Sequence, residues 1–226
     1  MIKYKNLTLI GTSHIALESV QEVERIISKI KPEVVALELD SARFRALMSN
    51  EKRKLHFSGI FRVGIKGYIF SLIGAYVEKK LGDIVGVSPG DEMKQAAYSA
   101  RNIGAKIAMI DQSIEITLKK FSKHLTWKEK FRFLEDIIMA IIKRPKINID
   151  LKKVPDKKII HDMITQVKKR YPNVYRVLIE DRNKIMAKNL YRLTQDYNVV
   201  AVVGAGHEEE IIGEIKCLEE KSQLQF

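Results

Sequence analysis

Two short stretches near opposite ends of the chain constrain its fold more than any other feature. Leu7-Thr8-Leu9-Ile10 runs into Gly11-Thr12-Ser13-His14, and Val199-Val200-Ala201-Val202-Val203 runs into Gly204-Ala205-Gly206-His207. Each is an apolar, largely β-branched run that leads through Gly-x-x-His into a segment with helical periodicity. A run of this kind reads as a buried strand. Its histidine is then delivered at the C-terminal edge of the sheet, where open α/β sheets bind ligands. Two histidines presented alike from the two ends of the chain point to one composite site.

The rest of the chain extends this reading. Leu17, Val20, Val23, Ile26, Ile27 and Ile30 recur at helical spacing and predict a helix over 15–30, ended by Lys31-Pro32. Val34 to Leu37 is the second strand, so the first 37 residues form a βαβ unit with parallel strands. Glu38-Leu39-Asp40 follows directly and sets two carboxylates beside the place where His14 emerges. Ser41 is predicted to cap the next helix, which puts Arg43 in its first turn, where a cation opposes the helix dipole. Either a salt bridge, to Asp40 first of all, or an anionic ligand explains such a cation.

Residues 50–58 read as a loop and 59–83 as a helical excursion. A further helix begins at Ser88-Pro89-Gly90-Asp91, with Glu92 in its first turn and Gly104 as its left-handed terminator. Lys106 to Ile110 is the third strand, and Asp111 follows at the same edge. Residues 114–171 hold no comparable strand and read as two or three helices, with breaks near 124–126 and 145–155. Pro172 precedes a long helix from Val174 to Leu193, and Val199 to Val203 is the fourth strand. Glu208, Glu209 and Glu210 then read as partners of a helix dipole. The expected fold is α/β: a central, mostly parallel sheet of at least four strands with helices on both faces. Helical insertions at about 59–83 and 114–193 form a cap on a single domain spanning 1–226.

Composition narrows the function classes. The single cysteine, Cys217, excludes an internal disulfide and a cysteine zinc cluster, and it fits a reducing compartment. Residues 1–6 are followed by an apolar run of four, too short for the core of a signal peptide. The most apolar window, Gly59 to Val77, contains Arg62 and Lys66 and sets Ile60, Val63, Ile69, Phe70, Ile73 and Val77 at helical spacing; it reads as an amphipathic or buried core helix rather than a span, with a membrane-surface helix as the second reading. A cytoplasmic or membrane-associated protein is expected. Between Lys119 and Arg170 there are 16 Lys and Arg against 6 Asp and Glu, which accounts for most of the net charge of +12. This excess reads first as the solvated face of long helices and second as a footprint for nucleic acid or an anionic lipid surface. No motif for specific nucleic-acid binding interleaves aromatics with it.

His14, Glu38 and His207 occupy matched positions at one sheet edge. Two imidazoles and a carboxylate suit a catalytic divalent metal with an open position for water, with Mn, Co or Zn as candidates. Such an ion would polarise a carbonyl and lower the pKa of its water. The same residues also suit a metal-free site with one histidine as general base. Glycines beside both histidines let backbone N–H groups approach a developing oxyanion. Asp111 and Glu92 are either carboxylates that orient the histidines or ordinary helix and loop acids. His56, His124 and His161 are expected at the surface, and Trp127 and the methionines in packing.

Six stretches resemble the TraB/Tiki superfamily and run in that family's order. They are Gly-Thr-Ser-His (11–14), Glu-Leu-Asp-Ser-Ala-Arg (38–43), Pro-Gly-Asp-Glu-Met (89–93), Ile-Asp-Gln-Ser-Ile-Glu-Ile-Thr-Leu (110–118), Arg-Asn-Lys-Ile-Met-Ala (182–187) and Gly-Ala-Gly-His (204–207). The superfamily includes a pheromone-shutdown protein and the Tiki metal-dependent proteases, and it is related to erythromycin-esterase and ChaN-like proteins of the same α/β architecture. The resemblance implies a metal-dependent hydrolase, most of all a peptidase that cleaves peptides or an exposed protein segment. The alternatives are a non-catalytic, sequestering peptide binder and a metal-free esterase-like hydrolase. It carries the metal or catalytic roles over to His14, Glu38 and His207, with Arg43 beside them. Gly11, Thr12, Gly204, Gly206, Glu92, Asp111 and Arg182 are the substrate-side candidates. Gln112 and Asn183 depart from the family's usual Arg and Asp, as does Glu208 to Glu210 after the last histidine. Family members often carry C-terminal membrane helices, so a chain that stops at Phe226 is expected to be either a member without them or a soluble piece; a homo-oligomer is a further expectation.

Overall fold

A computed structural model describes residues 1–12, 17–49, 90–129, 131–132, 135–136, 139 and 157–223. Five strands form one sheet in the order β1-β2-β5-β3-β4: β1 (Ile2–Tyr4), β2 (Leu7–Thr12), β3 (Val34–Leu37), β4 (Lys106–Met109) and β5 (Val199–Gly204). The four strands expected from the sequence are all parallel within it. The added strand, β1, pairs antiparallel with β2 through a tight turn at Lys5 and Asn6, where Lys5 has φ of 51°.

Sequence order does not give spatial order. Although β2 and β3 are joined by a single helix, β5 inserts between them and pairs with both. The two histidine-bearing strands, β2 and β5, are therefore immediate neighbours, with Thr12 opposite Gly204. Glu38 follows on the other side, since Leu37 is opposite Val202. The central strand thus lies between the two elements that the sequence reading treats as adjacent.

The three central strands are buried on both faces, which is why they read as continuous apolar runs rather than alternating ones. Val199, Ala201 and Val203 point to one face, against Met186, Ala187 and Leu190 of α7 (Asp181–Leu193) and Ile211, Ile212 and Ile215 of α8 (Glu208–Gln223). Val200 and Val202 point to the other. There they meet Val23, Ile26 and Ile27 of α1 (Leu17–Ile30) and Met93, Ala96, Ala97 and Ala100 of α3 (Asp91–Asn102). Helices cover both faces, as expected. Full burial of each Val, Leu or Ile stabilises by roughly 1.5–3 kcal/mol, which makes the central strands the rigid base of whatever stands at their ends. The edge strands β1 and β4 are only partly covered.

The remaining elements are α2 (Ser41–Met48), α4 (Ile114–His124), α5 (Lys157–Arg170) and α6 (Pro172–Tyr175). A π-helical turn, Arg176–Glu180, joins α6 to α7, so the predicted helix 174–193 starts at Pro172 and is interrupted. Gly104 does take the left-handed conformation, with φ of 73°. The expected breaks divide cleanly: Leu125 and Thr126 do separate two helical stretches, whereas 145–155 lies outside the described residues, as do the 59–83 excursion and His56. Trp127 corrects an expectation, because it is 69% exposed rather than packed. Among the described residues no helix is long and apolar enough to cross a membrane.

Candidate functional site

Glu38 is the first residue past β3, and its amide still donates to the Val202 carbonyl at 3.1 Å. The bond holds the residue in line with the sheet, and the side chain is buried at the edge with 3% exposure. Its Oε2 accepts the Gly204 N–H at 2.6 Å, and its Oε1 accepts from Arg182 Nη2. The Gly204 amide is therefore already engaged by a carboxylate. The site's sequence-predicted backbone donor serves to fix Glu38.

Arg182 joins two carboxylates. Its Nε lies 3.1 Å from Asp111 Oδ1, its Nη2 lies 2.8 Å from Asp111 Oδ2, and its Nη1 donates to the Leu178 carbonyl at 3.1 Å. Leu178 belongs to the π turn, where widened backbone spacing leaves carbonyls to seek other donors. Burial works against the Arg182 charge, but Glu38 and Asp111 outweigh it and hold the guanidinium above its ordinary value. It stays charged at any physiological pH.

Arg43 resolves the question raised by its position. Its Nη1 lies 3.3 Å from Asp111 Oδ2, so its partner is Asp111 and not Asp40. Asp40, rather than Ser41, is the cap of α2. Its Oδ1 accepts the Ala42 and Arg43 amides at 2.8 and 2.9 Å, and its Oδ2 accepts the Ile114 amide at 3.1 Å. One side chain thus ties the starts of α2 and α4 together, and a capping carboxylate offsets the cation in the first turn.

His207 stands at the end of the turn after β5. Its Nε2 is 3.4 Å from Glu38 Oε1, and its Nδ1 is 2.5 Å from Asn183 Oδ1. Asn183 Nδ2 in turn donates to Glu210 Oε2 at 2.7 Å, and the Tyr175 hydroxyl donates to Glu210 Oε1 at 2.6 Å. This chain assigns the protons. Ionised Glu210 only accepts, so the Asn183 nitrogen faces it and the Asn183 oxygen faces His207. The Asn183 oxygen therefore accepts the proton of His207 Nδ1, and Nε2 is the ring nitrogen that faces Glu38. Burial, then the hydrogen bond to Glu210, pushes the Tyr175 hydroxyl above its usual range, so it remains a donor.

The other expected residues fall as follows. Gly11 is a contact position, since a Cβ there would lie 2.4 Å from Cδ of the buried Glu208. Thr12 donates its hydroxyl to the Val203 carbonyl at 3.2 Å, and its own carbonyl accepts the Ala205 amide at 2.9 Å. Gly206 lies in the turn that presents His207. Glu92 is buried in the first turn of α3. His14 lies outside the described residues. His161 is exposed and His124 partly so. Among the described residues no group of three His, Cys, Asp or Glu is placed to hold a metal ion. Glu38 and His207 supply two donors, on neighbouring strands of the same edge as the strand that leads to His14.

Asn183, Glu210 and Tyr175 are the participants that the sequence reading missed. Glu210 is one helical turn beyond His207, and that i, i+3 spacing was the available signal. It is masked by the ordinary preference for acids at a helix start.

The fold and the site define a class: an α/β protein with a buried His–Glu–Arg–Asp constellation at the carboxyl edge of a parallel sheet. Residues 2–222 match the TraB/PrgY/gumN family, and the chain belongs to it. A similar protein, uncharacterised, comes from Methanocaldococcus jannaschii and is 37% identical over 97% of this chain and 55% of its own length. TraB domain-containing proteins of Bos taurus and Homo sapiens are 21% and 20% identical over 88% of this chain. The chain spans between 55% and 60% of the length of these relatives.

Proposed function

We propose that the chain is a metal-dependent hydrolase acting on peptides or on an exposed segment of a partner protein. The observation that carries this reading is the Glu38–His207 pair. A carboxylate oxygen and the Nε2 nitrogen of an imidazole face each other at 3.4 Å. Atoms so placed are satisfied by a proton or by a cation held between them. The separation fits two corners of a tetrahedron with metal–ligand bonds of about 2.0–2.1 Å, the range of nitrogen and oxygen ligands on zinc. The donor chemistry also fits, because the partner of Nδ1 fixes the ligating tautomer.

Glu38, His207 and His14 would hold the ion. Once bound, such an ion polarises a carbonyl and makes its water a nucleophile near neutral pH. The protein groups do the rest. Asn183 keeps the proton on Nδ1, and Gly204 N–H and Arg182 fix the two oxygens of Glu38. Arg43, partly exposed and 3.3 Å from Asp111, would receive a substrate carbonyl or carboxylate.

Peptide cleavage measured by mass spectrometry with added Mn²⁺, Co²⁺ or Zn²⁺ tests the reading. Cleavage by the wild type, lost in His14→Ala and in folded Glu38→Gln, is expected; a wild-type rate equal to that of His14→Ala would sink it. The Arg182–Glu38 ion pair favours a second reading, because it already neutralises the carboxylate. In that reading His207 Nε2 is a general base without metal, and activity survives in EDTA. Peptide that is retained but recovered intact in every metal would leave a binding protein.

A further inference from the structure

The sole tryptophan of the chain is on the surface. Trp127 and Phe131 are four residues apart on one helical face, 69% and 68% exposed, and Met139, eight residues further on, is 40% exposed. Apolar side chains this large rarely stay in water together without a purpose. They lie in the most basic part of the chain. Lys119, Lys123 and Lys128, close by in the sequence, are exposed. Arg132, next to Phe131, donates to the Arg170 carbonyl at 3.1 Å, which brings in the last turn of α5 with exposed Lys168 and Lys169.

Two acids of this region are engaged by its own donors. Glu129 accepts the Asn173 amide at 2.8 Å and the Thr126 amide at 3.1 Å. Asp136 is held by Arg170 and Tyr171. Exposed Glu135 lies 3.9 Å from Arg170. Exposed Glu135 and Asp162 offset part of the charge and Lys168 lies 4.9 Å from the Tyr175 ring centroid, so exposed Lys119, Lys123, Lys128 and Lys169 leave the region net positive. The contacts also fix direction: 173 meets 129 and 170 meets 136, so α5 runs antiparallel to the 127–139 segment. Met163, on α5, is exposed as well, at 52%.

We propose that this aromatic and basic face docks on the surface of an anionic lipid bilayer. Trp127 and Phe131 would enter the headgroup boundary while the lysines meet lipid phosphates, as on interfacial helices. Each basic residue near an anionic surface adds attraction that salt screens. Single-stranded nucleic acid also uses aromatics and cations. It has no use for Met139 and Met163, whereas a bilayer does.

Trp127 is its own reporter. Mix the whole chain with phosphatidylcholine vesicles, with and without phosphatidylglycerol, at low and high salt, and record tryptophan emission and co-pelleting. A blue shift and pelleting confined to anionic vesicles are expected, with partitioning that falls at least about tenfold on raising salt. Phe131→Ala and the pair Lys168→Glu, Lys169→Glu should each weaken binding about tenfold while circular dichroism stays unchanged. The proposal is overturned by any one of three results: no shift or pelleting at low salt, wild-type binding by folded Phe131→Ala, or an emission change driven by single-stranded RNA or by protein concentration alone.

Discussion

Two arginine–carboxylate clusters lie on the same chain and differ in burial. At the sheet edge, Arg182 joins Glu38 and Asp111 with side chains only 16%, 3% and 2% exposed. On the helical face, Arg170 pairs with Asp136 at 45% and 39% exposure. Donors and acceptors are of the same kind, and both guanidiniums are held above their ordinary value by their carboxylates. The difference lies in what removal leaves behind. In the exposed cluster water replaces the lost partner, whereas at the sheet edge two buried carboxylates would lose their shared guanidinium, with the longer Arg43 contact left to Asp111.

The largest expected effect follows from that contrast. Arg182→Met should lower unfolding free energy by about 3–5 kcal/mol in urea titration, the range for breaking a buried charge pair. Arg170→Met should leave the urea midpoint unchanged. Equal losses would break the comparison and show that burial does not separate the clusters.

A smaller effect sharpens it from the packing side. Gly11→Ala would push Cβ to 2.4 Å from Glu208 Cδ and 2.9 Å from Cγ. A loss of about 1–3 kcal/mol is expected, as for an overpacked core. Combining it with Glu208→Ala should cost less than the two singles together, since the sites are in contact. Additive losses would mean that the close approach is not what requires glycine.

Tyr175→Phe is expected to cost about 0.5–1.5 kcal/mol, because it removes one donor from Glu210 without unpairing Asn183. A larger loss in thermal melts would show that the relay behind His207 depends on its outermost member.

The last test concerns acid. Burial opposes the charge on Glu129, but the Thr126 and Asn173 hydrogen bonds outweigh it and hold its pKa below the usual 4.5. A carboxyl lowered in the folded state contributes stability above its unfolded value, and that contribution is lost as pH falls through the lowered one. Wild type should therefore lose stability below about pH 4.5 more steeply than Glu129→Gln. Parallel curves for the two proteins would remove Glu129 from the acid response.

The parallel strands were legible because a strand buried on both faces must be a short β-branched run, and Val199 to Val203 is such a run. β1 was not legible, since three residues at an edge carry no such signature. Nor was the place of β5, because a crossover through one helix allows a strand to be inserted between β2 and β3. Glu38 and His207 stood out because each closes a strand. The partnership of Asp111 with Arg182 spans 71 residues and joins two charged side chains with nothing local to link them. Asn183, Glu210 and Tyr175 looked like helix surface, and only the close approach of α7 and α8 turns them inward. Trp127 was misread because a lone large aromatic is usually core, and nothing local distinguishes one left at the surface.

Absorption titration with Co²⁺ tests the proposed metal centre most directly, since the visible bands of cobalt report nitrogen and oxygen ligation without any substrate. One equivalent should bind to the wild type with saturating bands, and both His207→Ala and Glu38→Gln should lose them while remaining folded. Bands of equal strength in His207→Ala, or none in the wild type, would contradict a cation site at this sheet edge.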